Sequence, residues 1–387
     1  MKLWRKASGA LKDQRSVWIA NIARRKSFRN PEIETAIIKA TNHDELFIDT
    51  ENIAFIYRTL RLSCDHHKAV LFAITKRMTK TRSWVVALKG LILMHGMFAC
   101  EVPSIQKIGR LPFDLSNFRD GHSNPGKTRP HNKFIRSYYA FLDEKSTFLY
   151  NDVVDYGNNT GYISKDDTIQ ASNNNNNDNV DSSMKQECKV IKKLQRLLDL
   201  LLVIKPQTKA TIGHPLFIEA INCVIVEVFD VYSQICGGIS RFLRRICSVE
   251  KGEAEMALKM TQKATKQGEE LSLYFEVCRE IGVLHPSDCP RIETIAKEDL
   301  KDLEDIINED RFEEMTLNED HHNNDTSKEI TMRDHHQVAS INEENEYSKQ
   351  RKMMMTIVTH KWETFDEGLS TKENDKEKNH FEPLISL

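Results

Sequence analysis

The stretch from Lys80 to Met97, KTRSWVVALKGLILMHGM, constrains the fold more than any other part of the chain. Its helical pattern places apolar residues around nearly the whole circumference, and beyond Arg82 its only charged residue is Lys89. A helix that is apolar on all sides is buried by neighbours on several sides. The segment is interrupted by Lys89, Gly90 and His95, and it is shorter than the roughly 20 apolar residues that cross a bilayer. The sequence therefore predicts a buried central helix within a stacked array of helices.

Amphipathic patterns predict further helices on both sides of this segment. Asn30-Pro31 is typical of a helix start, because a capping residue precedes proline at the first helical position. No stretch alternates in the manner of a β-strand, so we expect an all-α fold. The predicted helices cover residues 1–23, 31–40, 50–60, 65–78, 133–150, 184–204, 215–247 and 253–282.

Composition divides the chain into a helical domain, residues 1–290, and a polar C-terminal part. Within the domain, residues 157–183 are rich in Asn, Asp and Ser, include five consecutive asparagines from Asn173 to Asn177, and are predicted to form a disordered insertion. Residues 291–315 are predicted to form an acidic amphipathic helix. Residues 316–387 lack a core-forming pattern and are expected to be a flexible tail.

Charge is distributed unevenly along the chain, although the net formal charge is only −2. Residues 1–150 carry +13 and residues 291–387 carry −12. A basic head suggests an anionic surface as its partner, and an acidic tail suggests protein partners. No apolar signal segment opens the chain, and the eight cysteines lack CxxC spacing, so we expect a cytoplasmic protein with reduced thiols.

The first 23 residues allow two interpretations. Leu3, Trp4, Leu11, Trp18 and Ile19 alternate with cations, a pattern that suits a helix lying on anionic lipid with its rings immersed. The apolar run from Val17 to Ile22 equally suits a first core helix with a frayed basic start.

Five separated blocks within residues 1–290 carry a family resemblance: GALKDQRSVWIA (9–20), KATNHDE (39–45), KTRSWVVALKGLILMH (80–95), NKFIRSYYAFLDEK (132–145) and ALKMTQKATKQGEELSLYFEVCREIG (257–282). In this order they resemble the ANTH domain of clathrin assembly proteins, a member of the ENTH/VHS superfamily, and the Asn-rich insertion and the tail resemble the plant branch. The resemblance implies an all-α superhelical stack that docks on membranes containing phosphatidylinositol 4,5-bisphosphate, together with a tail that recruits clathrin and adaptors.

The headgroup pattern of that family is only half present here. Lys39, Ala40 and Thr41 match its Lys-Ala-Thr, and His43 matches the plant form. The second half departs from the pattern: Ile48 stands for a proline, Asp49 and Glu51 for two cations, and Asn52 for a histidine. Two carboxylates repel a phosphate where each cation would contribute about 1 kcal/mol of attraction near the surface. Asp49 and Glu51 also suit the first turn of a capped helix.

We therefore expect any membrane binding to rest on a diffuse basic surface that selects weakly among headgroups and depends strongly on salt. The candidate lipid-binding residues are Lys2, Arg5, Lys6, Lys12, Arg24, Arg25, Lys26, Lys39, His43, Lys76, Arg77, Lys80 and Arg82.

Gly121 to Thr128 matches the P-loop pattern GxxxxGK[ST], which would make Lys127 a phosphate ligand and Thr128 a magnesium ligand. The required context is missing, because no buried strand precedes the motif and Pro130 disfavours a helical Arg129. Adjacent histidine pairs cannot chelate as i, i+4 pairs do, so no metal site or other cofactor is predicted. No nucleophile, base and orienting acid occur together in a known pattern, and we expect no enzyme activity.

Two short motifs in the tail suit coat proteins. Trp362 and Phe365, followed by acidic residues, look like the WxxF-acidic peptide bound by adaptor appendage domains. Leu384, Ile385 and Leu387 resemble a clathrin box that the chain's own carboxylate completes.

Together these features predict a non-enzymatic endocytic adaptor that links phosphoinositide-containing membrane to clathrin and promotes coat assembly. Expected partners are the clathrin heavy chain, adaptor appendage domains, anionic membrane and, by resemblance alone, vesicle SNAREs; nucleic acid is not among them. The expected location is cytoplasmic and peripheral, on plasma-membrane coated pits, coated vesicles and the Golgi. The alternatives are a helical protein-interaction scaffold that has lost phosphoinositide binding and a P-loop nucleotide-binding protein.

Overall fold

A computed structural model describes residues 2–22, 29–62, 64–121, 125–160, 176–205, 214–246, 251–283 and 297–308. These residues form helices without any β-strand element, which confirms the predicted all-α fold. The eleven helices among them are α1 (Lys2–Ile22), α2 (Pro31–Ala40), α3 (Thr50–Leu62), α4 (Cys64–Lys80), α5 (Trp84–Ala99), α6 (Pro103–Gln106), α7 (Pro125–Thr160), α8 (Asn176–Leu202), α9 (Pro215–Leu243), α10 (Lys251–Glu280) and α11 (Lys297–Asn308).

Helix α5 is the buried centre of the stack. Every residue from Trp84 to Phe98 is buried, and α5 contacts α2, α3, α4, α6, α7 and α9. The helix begins at Trp84, not at Lys80 as the sequence suggested, because Lys80 ends α4 and residues 81–83 link the two helices. The predicted central position is confirmed, and the first half of the domain is thereby joined to the second.

Two glycines of α5 allow neighbouring helices to approach closely. A Cβ atom at Gly96 would lie 1.9 Å from the Tyr57 hydroxyl oxygen, and one at Gly90 would lie 2.1 Å from the Met78 sulfur. Such distances are impossible for real atoms, so a side chain here would force the Tyr57 ring or the Met78 side chain out of its packed position.

A polar network crosses the core at His95 of α5. The His95 Nε2–H donates to Glu227 of α9 (3.2 Å), and the Tyr138 hydroxyl of α7 donates to His95 Nδ1 (2.8 Å). Lys145 of α7 also donates to Glu227. Burial lowers the pKa of His95, and its neutral tautomer satisfies both ring nitrogens. Burial raises the pKa of Glu227, but Lys145 and His95 outweigh it and lower that pKa to about 2.

The second half of the stack consists of α8 to α11. The Gln195 side chain of α8 donates to the Met260 carbonyl (2.9 Å), and Gln267 of α10 donates to the Gln195 carbonyl (2.7 Å). Helix α11 packs on α10 and buries Leu303 and Ile307 in the same core. The predicted acidic helix at 291–315 thus corresponds in position to α11.

Two local expectations are wrong. Helices α7 and α8 extend into the edges of the insertion expected at 157–183, since elongating an existing helix adds one hydrogen bond for each residue fixed; residues 161–175 lie outside the described part. Arg129 and Pro130 are both helical: α7 begins at Pro125 and continues through Pro130, its sixth residue, where proline lacks the N–H donor.

None of the described helices combines the length and the apolar character that crossing a bilayer requires.

Candidate functional site

A basic groove of about 580 Å³ lies between α1, the end of α4 and the linker to α5. Its cationic side chains come from three separate parts of the chain, whereas Glu34 is the one carboxylate in its lining. The groove is lined by Lys12, Arg15, Ser16, Ile19, Glu34, Ile38, His43, Ala73, Lys76, Arg77, Lys80, Thr81, Arg82 and Ser83. A groove of this composition suits an anionic partner.

Helix α1 has one side that packs on the domain and an apolar side that faces solvent. It packs on α2 through buried Ala20, and Gly9 approaches the loop after α2 so closely that a Cβ atom there would lie 2.7 Å from the His43 Cβ. Leu11, Trp18 and Ile22 recur at helical spacing on the outer side and are each exposed by more than 60%. Both interpretations of the N-terminal segment therefore describe part of it: one side of α1 packs on the domain and the other faces solvent.

Asp13 of α1, which does not itself line the groove, binds two of the candidate site residues, His43 and Arg77. Its carboxylate accepts hydrogen bonds from Arg77 Nη2 (2.8 Å), the His43 amide (2.8 Å) and the His43 ring (2.8 Å). Arg77 also donates to the Thr41 carbonyl (2.7 Å). Burial raises the pKa of Asp13, but the bonds from His43 and the charge of Arg77 outweigh it, so the pKa lies below its ordinary value. Arg77 and His43 are therefore already hydrogen-bonded to other residues of the domain.

The negative charge of Glu34 is balanced by two cations. It is buried and forms ion pairs with Arg29 (2.5 Å) and Lys76 (3.0 Å). The cations with exposed side chains at the rim are Lys12, Arg15, Lys80 and Arg82.

The loop Thr41–Asp49, which we call the α2–α3 loop, is fixed from beneath by a buried lysine. Lys89 projects from the apolar helix α5 and donates to the Asn42 side chain (2.7 Å) and to the Phe47 carbonyl. Burial lowers the pKa of Lys89 to about 8. At the end of the loop, Asp49 caps α3 by accepting from the Asn52 amide (3.0 Å). Asp49 therefore has a structural role, as a capped first turn predicts.

Comparison with protein families gives a match over residues 32–309 to the ANTH domain. The chain belongs to the ANTH-domain family. "Putative clathrin assembly protein At1g25240" of Arabidopsis thaliana is 40% identical over 368 residues, which cover 95% of this chain and 88% of the relative. A second Arabidopsis relative, "Putative clathrin assembly protein At1g68110", is 36% identical over 369 residues with the same coverage of each chain. "Clathrin coat assembly protein AP180" of the same plant is 29% identical over 325 residues, 78% of this chain but 49% of the relative.

The ANTH domain brings together only part of the candidate lipid-binding set. Lys12, His43, Lys76, Arg77, Lys80 and Arg82 line the groove. Lys39 is exposed on α2 but does not line it. Lys2, Arg5 and Lys6 belong to α1, although their side chains lie outside the described part, as do residues 24–26 entirely.

Sequence reasoning missed Arg15 as a site residue and Asp13 as the organising carboxylate of this ANTH domain. The signal for Arg15 was its position three residues after Lys12, which places the two on neighbouring positions of one helical face. No comparable signal exists for Asp13, whose partners lie 30 and 64 residues away.

The P-loop motif lacks its fold context in the ANTH domain. Residues 107–121 contain no strand, and Thr128 is buried in the first turns of α7. Residues 122–124 and the Lys127 side chain lie outside the described part, as do the tail residues Trp362, Phe365, Leu384, Ile385 and Leu387. Within the described ranges, no three His, Cys, Asp or Glu side chains gather to hold a metal ion.

Proposed function

We propose that this protein is a non-enzymatic endocytic adaptor whose ANTH domain docks on anionic, phosphoinositide-containing membrane while its tail recruits clathrin and adaptor appendage domains. The observation that carries the proposal is the groove, in which α1, the end of α4 and the α4–α5 linker contribute cations beside the exposed apolar side of α1. Cations at headgroup level next to immersed apolar side chains are the arrangement of interfacial membrane helices.

Electrostatic attraction supplies much of the binding in this proposal. Each cation near an anionic surface contributes about 1 kcal/mol, and the contribution falls as salt shortens the Debye length. Arg77 and His43 are held by Asp13 and Thr41, so the exposed rim cations Arg15 and Lys80 meet the lipid without a built headgroup cage. Weak headgroup selectivity and strong salt dependence follow.

The clathrin part of the proposal rests on the relatives and on the tail. The Arabidopsis relatives are named clathrin assembly proteins, and the tail motifs at Trp362–Phe365 and Leu384–Leu387 suit appendage domains and clathrin. Coated pits, coated vesicles and the Golgi are the locations that this role implies. Binding of vesicle SNAREs is proposed from the family resemblance alone.

Vesicle sedimentation of the full chain tests the membrane part. Removing two rim cations, Arg15→Ala with Lys80→Ala, should weaken binding to phosphatidylserine vesicles several-fold and flatten its salt dependence. Lys189→Ala with Lys192→Ala removes two exposed cations from α8 and is the matched control, which should bind nearly as wild type does. Equal loss in both variants would show that net charge, not the groove, holds the protein to the membrane.

Two further measurements complete the test. Vesicles carrying phosphatidylinositol 4,5-bisphosphate at the same total charge as phosphatidylserine should bind only slightly better, and tight, salt-resistant selectivity would contradict the proposed diffuse site. Deleting residues 384–387 should reduce capture of the clathrin terminal domain while leaving vesicle binding unchanged.

A helical scaffold that binds proteins but not lipid is the second candidate. Asp49 and Glu51 favour it, since both stand where the family pattern has cations and Glu51 is exposed. Absence of sedimentation with every anionic vesicle would favour this alternative.

A further inference from the structure

The α2–α3 loop presents two adjacent large apolar side chains to solvent. Leu46 is 48% exposed and Phe47 is 69% exposed. The next residue, Ile48, turns inward and packs against the hydrophobic core. The tip is therefore a defined apolar projection with an anchored base.

Hydrogen bonds hold this projection from both ends and from beneath. Lys89 donates to the Phe47 carbonyl and to Asn42, the Leu46 amide donates to Asp44 (2.9 Å), and Asp49 caps the following helix. A lysine in the centre of an apolar helix costs free energy to bury, and here its ammonium group is used to fix the backbone directly under Phe47. A loop fixed in this way loses little conformational freedom when its tip moves from water into a lipid bilayer.

The loop is adjacent to the basic groove. His43 lines the groove and is bound to Asp13 of α1, and Phe47 lies four residues further along the chain. Four residues span at most about 14 Å between Cα atoms, so the tip lies within about that distance of the groove. Insertion of the tip beside the groove requires that the tip and the rim cations face the same lipid surface.

The charges on the loop indicate which part of the bilayer the tip meets. Asp44, Glu45, Asp49 and Glu51 flank the tip in the sequence, and no lysine or arginine lies between Thr41 and Asn52. Anionic headgroups are repelled by these carboxylates, whereas the acyl region favours the side chains of Leu46 and Phe47 while the carboxylates stay in water.

We propose that Leu46 and Phe47 insert into the acyl boundary of the bilayer, so that an apolar anchor stands where the family pattern has a cationic headgroup site. The inference rests on the proposed membrane docking and adds the component of the lipid that the α2–α3 loop contacts. Lys89 acts as a positioning residue for the insertion. The apolar contribution of Leu46 and Phe47 is independent of headgroup charge and of salt, in contrast to the electrostatic contribution of the groove.

Neutral phosphatidylcholine vesicles in high salt isolate this contribution. In sedimentation of the full chain, Leu46→Ser with Phe47→Ser should lower the partition coefficient at least about tenfold. Val226→Ser with Leu273→Ser removes two side chains of nearly matched exposure, 44% and 62%, from α9 and α10 and should bind as wild type does. Both variants change exposed positions, and circular dichroism with a thermal melt establishes that they remain folded.

Depth-dependent fluorescence quenching provides a second readout. Tryptophan introduced by Phe47→Trp should be quenched by lipids brominated on the acyl chain, beyond the quenching of wild type's own tryptophans, whereas Leu273→Trp should add no quenched signal. The insertion is overturned if wild type binds vesicles, the Leu46→Ser, Phe47→Ser variant binds equally well, and the Phe47→Trp variant shows no added quenching. That result leaves the groove proposal standing. Wild type that binds no vesicle of either composition overturns both.

Discussion

Replacement of Glu227 by glutamine tests whether the polar network inside the core is ionised and structurally important. Glu227 is nearly buried on α9, where it accepts hydrogen bonds from His95 (3.2 Å) and from Lys145. Glutamine keeps the size and one acceptor oxygen but removes the charge. The largely buried ammonium of Lys145 is then left without its counter-ion.

Two independent estimates give the magnitude of this change. A pKa lowered from 4.5 to about 2 corresponds to about 3 kcal/mol of stabilisation of the charged form in the folded state. Removing one partner of a buried ion pair typically costs about 3–5 kcal/mol. We expect Glu227→Gln to lower the free energy of unfolding at pH 7 by about 3 kcal/mol and the melting temperature by roughly 6 °C or more.

Urea unfolding at pH 7 and at decreasing pH measures the effect. The pKa of Glu227 is depressed in the folded state, so its contribution is complete above about pH 5 and is lost as pH falls from 4.5 toward 2. The difference between wild type and Glu227→Gln should therefore narrow as the solution is acidified. Glu270→Gln removes an exposed carboxylate that lies 4.0 Å from Lys266, and this control should cost less than about 0.5 kcal/mol.

A double replacement separates the ion pair from the space that it fills. Glu227→Leu with Lys145→Met should destabilise the protein less than either single change, because no buried charge is left unpaired. A loss below about 1 kcal/mol for Glu227→Gln, with no dependence on pH, would refute the ionised network.

Three further predictions concern the close packing of α5 and the α2–α3 loop. Gly96→Ala should cost at least about 2 kcal/mol in thermal or urea unfolding, since its Cβ atom would overlap the Tyr57 hydroxyl, whereas Gly252→Ala in α10, with no atom within 4 Å, should be close to neutral. The pKa of Lys89 is about 8 in the folded protein and 10.5 in the unfolded chain, so between these pH values only the unfolded chain holds the proton. The stability of wild type relative to Lys89→Met should therefore rise with pH in that range. A stability difference that does not change with pH would contradict the burial of the Lys89 charge. Glu51→Lys should strengthen binding to anionic vesicles and cost up to about 0.5 kcal/mol, because a cation replaces an acid in the first turn of α3. Asp49→Lys should cost about 1 kcal/mol or more because it removes the cap of α3, and equal stability of the two variants would argue against the cap.

Helix positions could be predicted from sequence because their signals are local. Asn30 accepts from the Glu32 amide (2.9 Å) as an N-cap should, and the apolar stripe Ile53, Ile56, Tyr57 and Leu60 is buried in α3. Boundaries were less accurate where no capping residue marks them. Helix α7 begins eight residues before the expected Lys133, through a segment that contains Pro130.

The groove could be predicted only as a set of cations. The sequence contains Lys12, Lys76, Arg77 and Lys80, but it does not show that α1 lies across the end of α4 and thereby collects them in one place. Lys39 begins the family's headgroup pattern and yet does not line the groove. Its position on α2, not its place in the pattern, determines where its charge lies.

The sequence alone determined the all-α class, the burial of α5, the capped starts of α2 and α3 and the resemblance to the ANTH family, because these follow from residue types at spacings of a few positions. Tertiary structure decided which charges remain available to a partner. Asp13 binds His43 and Arg77 from 30 and 64 residues away, and Lys89 fixes the carbonyl beneath Phe47 from 42 residues away. The pairing of a charge depends on which groups the packed helices bring within hydrogen-bonding distance, and that is set by the packing of the whole domain.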